Sequence, residues 1–364
     1  MAYSYMHNPE IWDMDRSHEV KRRTWWWHWW IFFFKNPDDP LRTKQLMVLW
    51  ATRNAKKVWV NGKEWRRDGD IVRKPGVAEF PGLSAAWYFD GKKMHDPLFQ
   101  ERSAVRARWD EEYGEVKTLE NISSMFSYKD DRYHLNVKDR GMDIDLRMEY
   151  WTPELSRAVR SGRQYLGNLG YKMYKIRGMK VNGSIRMGKK KDTVEGTAYF
   201  QKVRINSPTS PWYWGVYHGP NGEFMDYFMP HLGMPVFRRS LKHKSIWGRG
   251  EKHLSNNLEY YDPHKKKYHL FEGVKLKKEY ENDLPIFMMT GDNGEETIKA
   301  RIRTYSRAYW RMKQPWLGIS SNVLVYNEYP AFIEEFEIKG RWGKITLDDI
   351  GPFVGNAEHA WGMM

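Results

Sequence analysis

The stretch VEGTAYFQKVRINSPTSPWYWGVYHGPNGEFMDYF, residues Val194 to Phe228, decides the fold class of this chain. From Thr197 to Ile205 its residues alternate with a period of two, which places successive side chains on opposite faces of a β-strand. A second run, Trp212 to His218, is followed by Gly219-Pro220-Asn221-Gly222, which has the chemistry of a turn. The sequence therefore predicts a strand followed by a β-hairpin.

The predicted hairpin combines aromatic rings with two ionisable groups. On the return strand, Asp226 shares a face with Phe224 and Phe228, and a carboxyl group held away from water has a raised pKa that suits a general acid. His218 shares a face with Trp212 and is a candidate proton relay. Two alternatives stay open. One is that Asp226 points to solvent or pairs with a Lys or Arg, and the other is that His218 only caps a loop.

The rest of the chain also has the pattern of antiparallel β structure. Trp25 to Phe34 is apolar on both faces, which is typical of a central buried strand. Asn61-Gly62 and Asn182-Gly183 each predict a hairpin turn. Short strands broken by Gly, Pro and Asn indicate sandwiches or barrels, so we predict an all-β protein with two consecutive antiparallel barrel or sandwich domains. The stretch Thr152 to Gly170 is the predicted connection, giving domains of residues 1–160 and 161–364.

Composition limits the possible partners. The 364 residues carry a net charge of +14 and no cysteine, which excludes disulfides and thiolate metal sites and is compatible with a cytoplasmic location. A basic surface favours anionic partners, so a nucleic-acid binder is a third alternative, although we expect no nucleic-acid partner.

Trp25 to Phe34 is too short for a bilayer span, and peripheral membrane contact stays open. Motifs for nucleotide, serine-hydrolase or metal chemistry are absent, so no cofactor and no metal are expected.

Several short motifs resemble a known family. They are Trp25-Trp26-Trp27, Val194-Glu195-Gly196-Thr197-Ala198-Tyr199, Trp212-Tyr213-Trp214 and Gly355-Asn356-Ala357-Glu358-His359-Ala360-Trp361. Together they resemble the carotenoid hydratase and AttH-like proteins, whose relatives include fungal cyclases that perform Diels-Alder chemistry. The resemblance implies two lipocalin-like β-barrel domains. Hydratase-like members carry an Asp-His-x-Trp-Gly segment where this chain has Phe200-Gln201-Lys202-Val203-Arg204, so hydration here needs a replacement acid.

The aromatic content of 16%, together with nineteen methionines, favours a hydrophobic ligand over a polar one. We therefore expect an enzyme that binds an isoprenoid- or polyketide-like molecule in a barrel cavity and hydrates, isomerises or cyclises it by acid and base chemistry. The alternative is a carrier that leaves the same kind of ligand unchanged, and the oligomeric state is left open. The predicted catalytic residues are Asp226 and His218. The predicted ligand-binding residues are Trp26, His28, Trp30, Tyr199, Gln201, Trp212, Trp214, Tyr217, Phe224 and Phe228.

Overall fold

The computed structural model describes residues 8–13, 24–53, 55, 57–66, 69, 71–166, 169–206, 211–232, 252–316 and 320–362. Most of these residues are in β-strands. A short 3-10 turn, Pro9–Ile11, precedes the first strand. The strands of the first half are β1 Thr24–Phe34, β2 Lys44–Arg53, β3 Lys57–Val60, β4 Lys63–Arg66, β5 Val72–Lys74, β6 Val77–Phe89, β7 Met94–Trp109, β8 Gly114–Thr118, β9 Ser123–Lys129, β10 Arg132–Asp139, β11 Met142–Glu149, β12 Val159–Leu166, β13 Leu169–Met187 and β14 Lys190–Asn206.

The second half continues in the same way. Its strands are β15 Trp212–His218, β16 Phe224–Leu232, β17 Lys252–His253, β18 Asn257–Asp262, β19 Lys267–Phe271, β20 Lys275–Glu281, β21 Leu284–Asp292, β22 Glu296–Thr304, β23 Ala308–Trp316, β24 Ser320–Gly340, β25 Gly343–Thr346 and β26 Val354–Gly362. Two helices of one turn each interrupt the series, α1 Pro153–Ser156 and α2 Leu347–Ile350.

The first sheet closes into a barrel. Its strand order is β11-β10-β9-β8-β7-β6-β2-β1-β14-β13, and β13 also pairs with β11, which joins the two ends of a ten-stranded antiparallel ring. β5 and β12 pair with single ring strands. Closure leaves this ring without free strand edges.

The second sheet follows the order β19-β18-β16-β15-β26-β24-β22-β21-β20, with β17, β23 and β25 attached at its sides. It also takes in the hairpin β3–β4, which lies in the sequence between strands of the first barrel but pairs with β23 through Val60 and Met312. The prediction of an all-β protein with two lipocalin-like β units is confirmed.

The interpretation of the tryptophan-rich run as a central buried strand is confirmed. β1 lies between β2 and β14 and is paired along its whole length with β14. Trp26, Trp30 and Phe32 point into the barrel, whereas Trp29 and Ile31 point outward and are still buried, because the second sheet packs on that side.

Of the predicted turns, Asn61-Gly62 and Gly219-Pro220-Asn221-Gly222 are confirmed, since each connects two paired strands. The predicted hairpin turn at Asn182-Gly183 is wrong. β13 runs straight through it because its residues pair with β11 on one side and β14 on the other, and the turn comes after Met187. Gly183 is instead explained by the close approach of the neighbouring strand. A Cβ at this position would lie 2.0 Å from the carbonyl oxygen of Asp145 on the neighbouring strand.

The predicted division between residues 160 and 161 falls inside β12, and β13 and β14 belong to the first barrel. The chain therefore changes sheets between Asn206 and Trp212. That residues 1–160 and 161–364 are separate folding units stays a prediction.

Buried apolar side chains form three main groups. One fills the first barrel and one lines the inner face of the second sheet. The third, which we call the interbarrel layer, packs the outer face of β1, β2, β6 and β14 against the second sheet. Its buried members are Trp29, Ile31, Phe33, Met47, Ala55, Val58, Val60, Trp65, Ala85, Trp87, Leu155, Tyr199, Trp214, Val216, Phe224, Tyr261, Ala308, Trp310, Leu324 and Ala360.

Candidate active site between the two sheets

Side chains alternate between the two faces of β15 and β16, and this brings most of the predicted site residues into the interbarrel layer. Trp214 packs against Trp29 with ring centroids 5.3 Å apart and against Tyr199 at 5.5 Å. Gln201 joins this group by accepting a hydrogen bond of 2.9 Å from Nε1 of Trp29. Phe224 is buried in the same layer, and Trp212 and Phe228 pack against it.

Asp226 is buried in this layer as part of an ionic cluster. Its carboxylate accepts a hydrogen bond from Nζ of Lys175, which reaches across from the first barrel and also lies 3.0 Å from Oε1 of Glu259. Arg177 completes the cluster, with its Nε 2.9 Å from the same oxygen of Glu259. Asp226 therefore does not point to solvent: it is buried, as the interpretation as an acid requires, and it is also paired with a lysine, as the alternative had it.

The two carboxyl groups of this cluster have opposite pKa shifts. Burial, and then the charge of Glu259, raise the pKa of Asp226 to about 6, against the opposing charge of Lys175. Burial alone would raise the pKa of Glu259, but Lys175 and Arg177 outweigh it and lower the pKa to about 2. Asp226 is therefore the member of the cluster that exchanges a proton near neutral pH.

His218 is buried and uses both ring nitrogens. Nδ1 lies 2.7 Å from the hydroxyl of Thr197, and Nε2 lies 2.7 Å from the carbonyl oxygen of Arg177. Burial lowers the pKa of His218 to about 4, so the ring is neutral at pH 7, donating from Nε2 and accepting at Nδ1. A proton relay through His218 would have to break one of these bonds, and the relay stays a prediction.

The remaining predicted residues lie elsewhere. Trp26, His28 and Trp30 are inside the first barrel, where rings already contact one another, as Trp30 and Phe200 do at 4.8 Å. Tyr217 belongs to the core on the inner face of the second sheet. The predicted ligand-binding residues are therefore divided among three separate places.

The structure adds a pair of acids that the sequence analysis missed. Glu328 on β24 lies directly opposite Glu358 on β26, and their side chains are 0% and 3% exposed. The hydroxyl of Tyr326 and the amide of Asn356 donate to Glu328, and Nε1 of Trp212 donates to Glu358. Among the residues that the structure describes, neither glutamate forms a salt bridge. We call these two side chains the carboxyl pair.

The surroundings of the carboxyl pair favour the protonated state. Burial raises the pKa of Glu328 to about 7, even though two donors stabilise its charge. Burial, and then the charge of Glu328, raise the pKa of Glu358 well above its usual value. A third carboxyl group, Asp96 from the first barrel, adds negative charge nearby, and burial raises its own pKa to about 6. At least one proton therefore stays on this group at neutral pH.

The carboxyl pair lies under an aromatic surface that is partly exposed. Trp212 and Tyr326, which hydrogen-bond to the two glutamates, are only partly buried, and their ring centroids lie 6.0 Å apart. Phe228 and Met312 on the same sheet are also partly exposed. These rings are thus partly exposed to solvent where they cover the carboxyl pair, and we call this patch of the interbarrel layer the cleft.

The sequence did contain a signal for the pair. Glu328 and Glu358 each stand next to aromatic or small apolar residues of a strand, in Tyr326-Asn327-Glu328-Tyr329 and in Ala357-Glu358-His359-Ala360. A charged residue on the buried face of a strand is unusual enough to be a candidate. Which two such residues face each other depends on the strand register, which the sequence pattern does not specify.

Two further properties concern the described residues only. No group of three or more His, Asp or Glu side chains among them is arranged to hold a metal ion. Nor does that part of the chain contain a helix that is both long and apolar enough to cross a bilayer.

Two solved structures share this architecture over nearly the whole chain. A Nitrosomonas europaea protein assigned as AttH has 12% sequence identity, and the match covers 95% of this chain and 97% of that one with a TM-score of 0.55. CghA has 8% identity, covering 94% and 89% of the two chains with a TM-score of 0.52. No protein-family model and no curated protein sequence matches the chain. The fold expected from the AttH-like resemblance is thus confirmed, and at these identities the likeness concerns the fold alone.

Proposed function

We propose that this protein catalyses a cofactor-independent acid and base reaction on an apolar small molecule of the isoprenoid or polyketide type, bound in the cleft. The observation that carries the proposal is the carboxyl pair, two buried acids without a cationic partner among the described residues, placed beneath partly exposed rings. Burial raises the pKa of both and so favours the protonated form. Protonation of a carbon–carbon double bond or a carbonyl group needs such an acid. The reaction is a hydration, an isomerisation or a cyclisation.

The proton balance assigns a role to each group. Glu358 gives its proton to the substrate, so that its O–H bond breaks, a C–H or O–H bond forms on the substrate, and positive charge develops there. The faces of Trp212 and Tyr326 stabilise that charge. In a cyclisation, a second double bond attacks the cation, so that a C–C bond forms and the positive charge moves to another carbon. In every case the cation is then consumed by loss of a neighbouring proton or by attack of water, which gives up a proton, and that proton returns to the carboxylate.

Asp226, the acid predicted from the sequence, is a second candidate for accepting that proton. It lies on the same face as the carboxyl pair, with Trp214 on the strand between them. Two carboxyl sites whose surroundings differ, one without a cation and one paired with Lys175, are suited to opposite roles as acid and base. In this proposal, the division of roles replaces the acidic segment that hydratase-like members carry where this chain has Phe200 to Arg204, within β14.

Deuterium transfer tests the proposal without knowledge of the substrate. The purified protein is incubated in D₂O with an apolar extract of the cells that make it, and the extract is followed by mass spectrometry. We expect one compound to gain deuterium in a protein-dependent way, because the carboxyl pair exchanges its proton with solvent between turnovers. Glu358→Gln should abolish the gain, since an amide cannot deliver the proton.

Glu115→Gln is the matched control, because Glu115 is a buried glutamate on β8, in the first barrel, where Lys117 and Tyr113 pair with it. This variant should label the compound at the wild-type rate. Retention of a compound that gains no deuterium would support the carrier instead. Equal labelling by the wild type and Glu358→Gln would rule out the carboxyl pair as the proton donor.

A further inference from the structure

The interior of the first barrel contains a segment that is not part of its sheet. Residues Asn8–Asp13, which we call the N-terminal plug, form a single 3-10 turn, and Trp12 at its end is fully buried among the barrel side chains. The indole of Trp12 stacks on Phe126 with ring centroids 4.9 Å apart. Gly114 provides the space, because a Cβ there would lie 2.0 Å from the indole.

Polar side chains of the barrel bind the backbone oxygens of the plug. His28 is neutral, since burial and then the charge of Lys202 lower its pKa to about 3, and its Nε2 lies 3.0 Å from the carbonyl oxygen of Ile11. Its Nδ1 is buried and has no hydrogen-bond partner among the described residues. Nζ of Lys202 donates to the carbonyl oxygens of Glu10, at 2.7 Å, and of Asp13.

The plug and the barrel carry opposite charges where they meet. The plug carries two acidic side chains, Glu10 and Asp13, and a cavity of about 20 Å³ beside them is also lined by Lys172, Lys202 and Arg204 of the barrel. The hydroxyl of Tyr174 donates to the carboxylate of Glu10, and Nζ of Lys172 lies 3.8 Å from it. Three cationic side chains of the barrel thus lie around the plug, whose Trp12 fills the slot between Phe126 and Gly114.

We propose that the first barrel is a second binding site, for a planar aromatic anion, and that the N-terminal plug occupies it as an intramolecular ligand. The slot between Phe126 and Gly114 takes the ring, and Lys202 takes the anionic oxygens that the plug's carbonyls replace. Nδ1 of His28 accepts a hydrogen bond that the plug leaves unmade. This site is separate from the cleft and does not depend on its chemistry.

The test uses the full chain and two probes of one ring system, indole-3-acetate and neutral indole. Removing the indole of Trp12 removes the internal competitor, so Trp12→Ala should bind indole-3-acetate at least about tenfold more tightly than the wild type does. Because the cations select the anion, the same variant should also prefer indole-3-acetate to indole by about tenfold. Adding Lys202→Met should remove that preference.

Trp50→Ala is the matched control for an ordinary cavity, since Trp50 is fully buried in the same barrel and packs against the same Phe126 in a tilted arrangement, with ring centroids 5.0 Å apart. It should bind both probes without preference for the anion. A folded Trp12→Ala protein that binds indole-3-acetate no better than indole would overturn the proposal, because Trp12 would then be a core side chain only.

A measurement on the wild type keeps the proposal testable if Trp12→Ala does not fold. Saturating indole-3-acetate should displace the plug and speed cleavage after Glu10 by a glutamate-specific protease several-fold, whereas indole at the same concentration should not. A cleavage rate that indole-3-acetate leaves unchanged would also overturn the proposal.

Discussion

Glu328 and Glu358 lie directly opposite each other on antiparallel strands, and no cation among the described residues contacts either of them. Neighbouring carboxylates in a buried place cannot both ionise at neutral pH without a large cost in free energy. Since the donors to the pair are the neutral side chains of Trp212, Tyr326 and Asn356, proton retention, rather than charge neutralisation, makes this arrangement stable.

The rate of the proposed reaction should fall as the pH rises through the pKa of Glu358, the proposed donor, which burial and then the charge of Glu328 raise well above its usual value. A general acid works only while protonated, so kcat should fall about tenfold per pH unit above that pKa. Glu328→Gln removes the charge that raises the pKa of Glu358, and the fall should therefore begin at lower pH. A pH profile of kcat checks this. An unchanged profile in Glu328→Gln would show that the two glutamates do not share a proton.

Lys175→Met should reduce the free energy of unfolding by about 3 kcal/mol at pH 8, because Asp226 loses its buried cation. The loss should shrink towards low pH. In the variant, the pKa of Asp226 in the folded state is raised still further above its value in the unfolded state. Such a group stabilises the folded state below the unfolded pKa, and this contribution disappears as the pH rises. Urea unfolding at several pH values measures it.

The control for Lys175 is an exposed ion pair. Lys35 and Glu195 are 2.7 Å apart, with 74% and 65% of their side chains exposed, so Lys35→Met should change the free energy of unfolding by less than about 1 kcal/mol at any pH. If both variants behaved alike, the cluster around Asp226 would be solvated and unsuited to a role in the cleft.

Acid should destabilise the protein through His218. Its pKa is about 4 in the folded state and near 6.5 when exposed, so its contribution is complete above about pH 6.5 and is lost as the pH falls toward 4. The shift corresponds to about 3 kcal/mol. His218→Gln should be less stable at pH 7 and have a flatter dependence of unfolding free energy on pH.

His264→Gln is the matched change, because 68% of the His264 side chain is exposed. Chemical unfolding between pH 4 and 7 should give this variant the same slope as the wild type. A wild-type slope in His218→Gln as well would mean that protonation of His218 does not limit stability in acid.

The two Asn-Gly pairs should respond differently to alanine. Asn61 has a positive φ of 50° in a true hairpin turn, and its side chain accepts a hydrogen bond from the backbone N–H of Arg311 at 2.8 Å. Asn61→Ala should therefore cost about 1 to 2 kcal/mol. Asn182 is an exposed position inside β13, and Asn182→Ala should lie within about 0.5 kcal/mol of the wild type. Equal thermal shifts in the two variants would contradict the continuous strand.

The sequence predicts much of this fold because β-strands are local patterns. The alternation around Tyr199 and the apolar run of β1 identify strands and their faces without knowledge of partners. The failure at Asn182-Gly183 has a physical reason. A glycine that permits close approach of a neighbouring strand has the same local sequence as a glycine in a turn. Only the pairing with Asp145 distinguishes the two.

The candidate site was less accessible to sequence reasoning. The rings on either side of Asp226 predict that it is buried, and it is. Its charge state also depends on Lys175 and Glu259, which are distant in the sequence. The carboxyl pair was not identified at all, because Glu328 and Glu358 become neighbours only through the register of β24 and β26. Local patterns report which face a residue occupies, whereas a site depends on residues that meet across strands.

The hairpin β3–β4 has a consequence for how the chain is made. It leaves the ribosome among strands of the first barrel, yet its partner β23 is synthesised only after most of the second sheet. Until then Val58 and Trp65, which end up buried, have no cover from that sheet. A gene cut after Asn206 would thus yield one fragment with an unprotected apolar hairpin. In the other fragment β23 would keep β24 but lose β3, so the halves are poor candidates for exchange between proteins as independent modules.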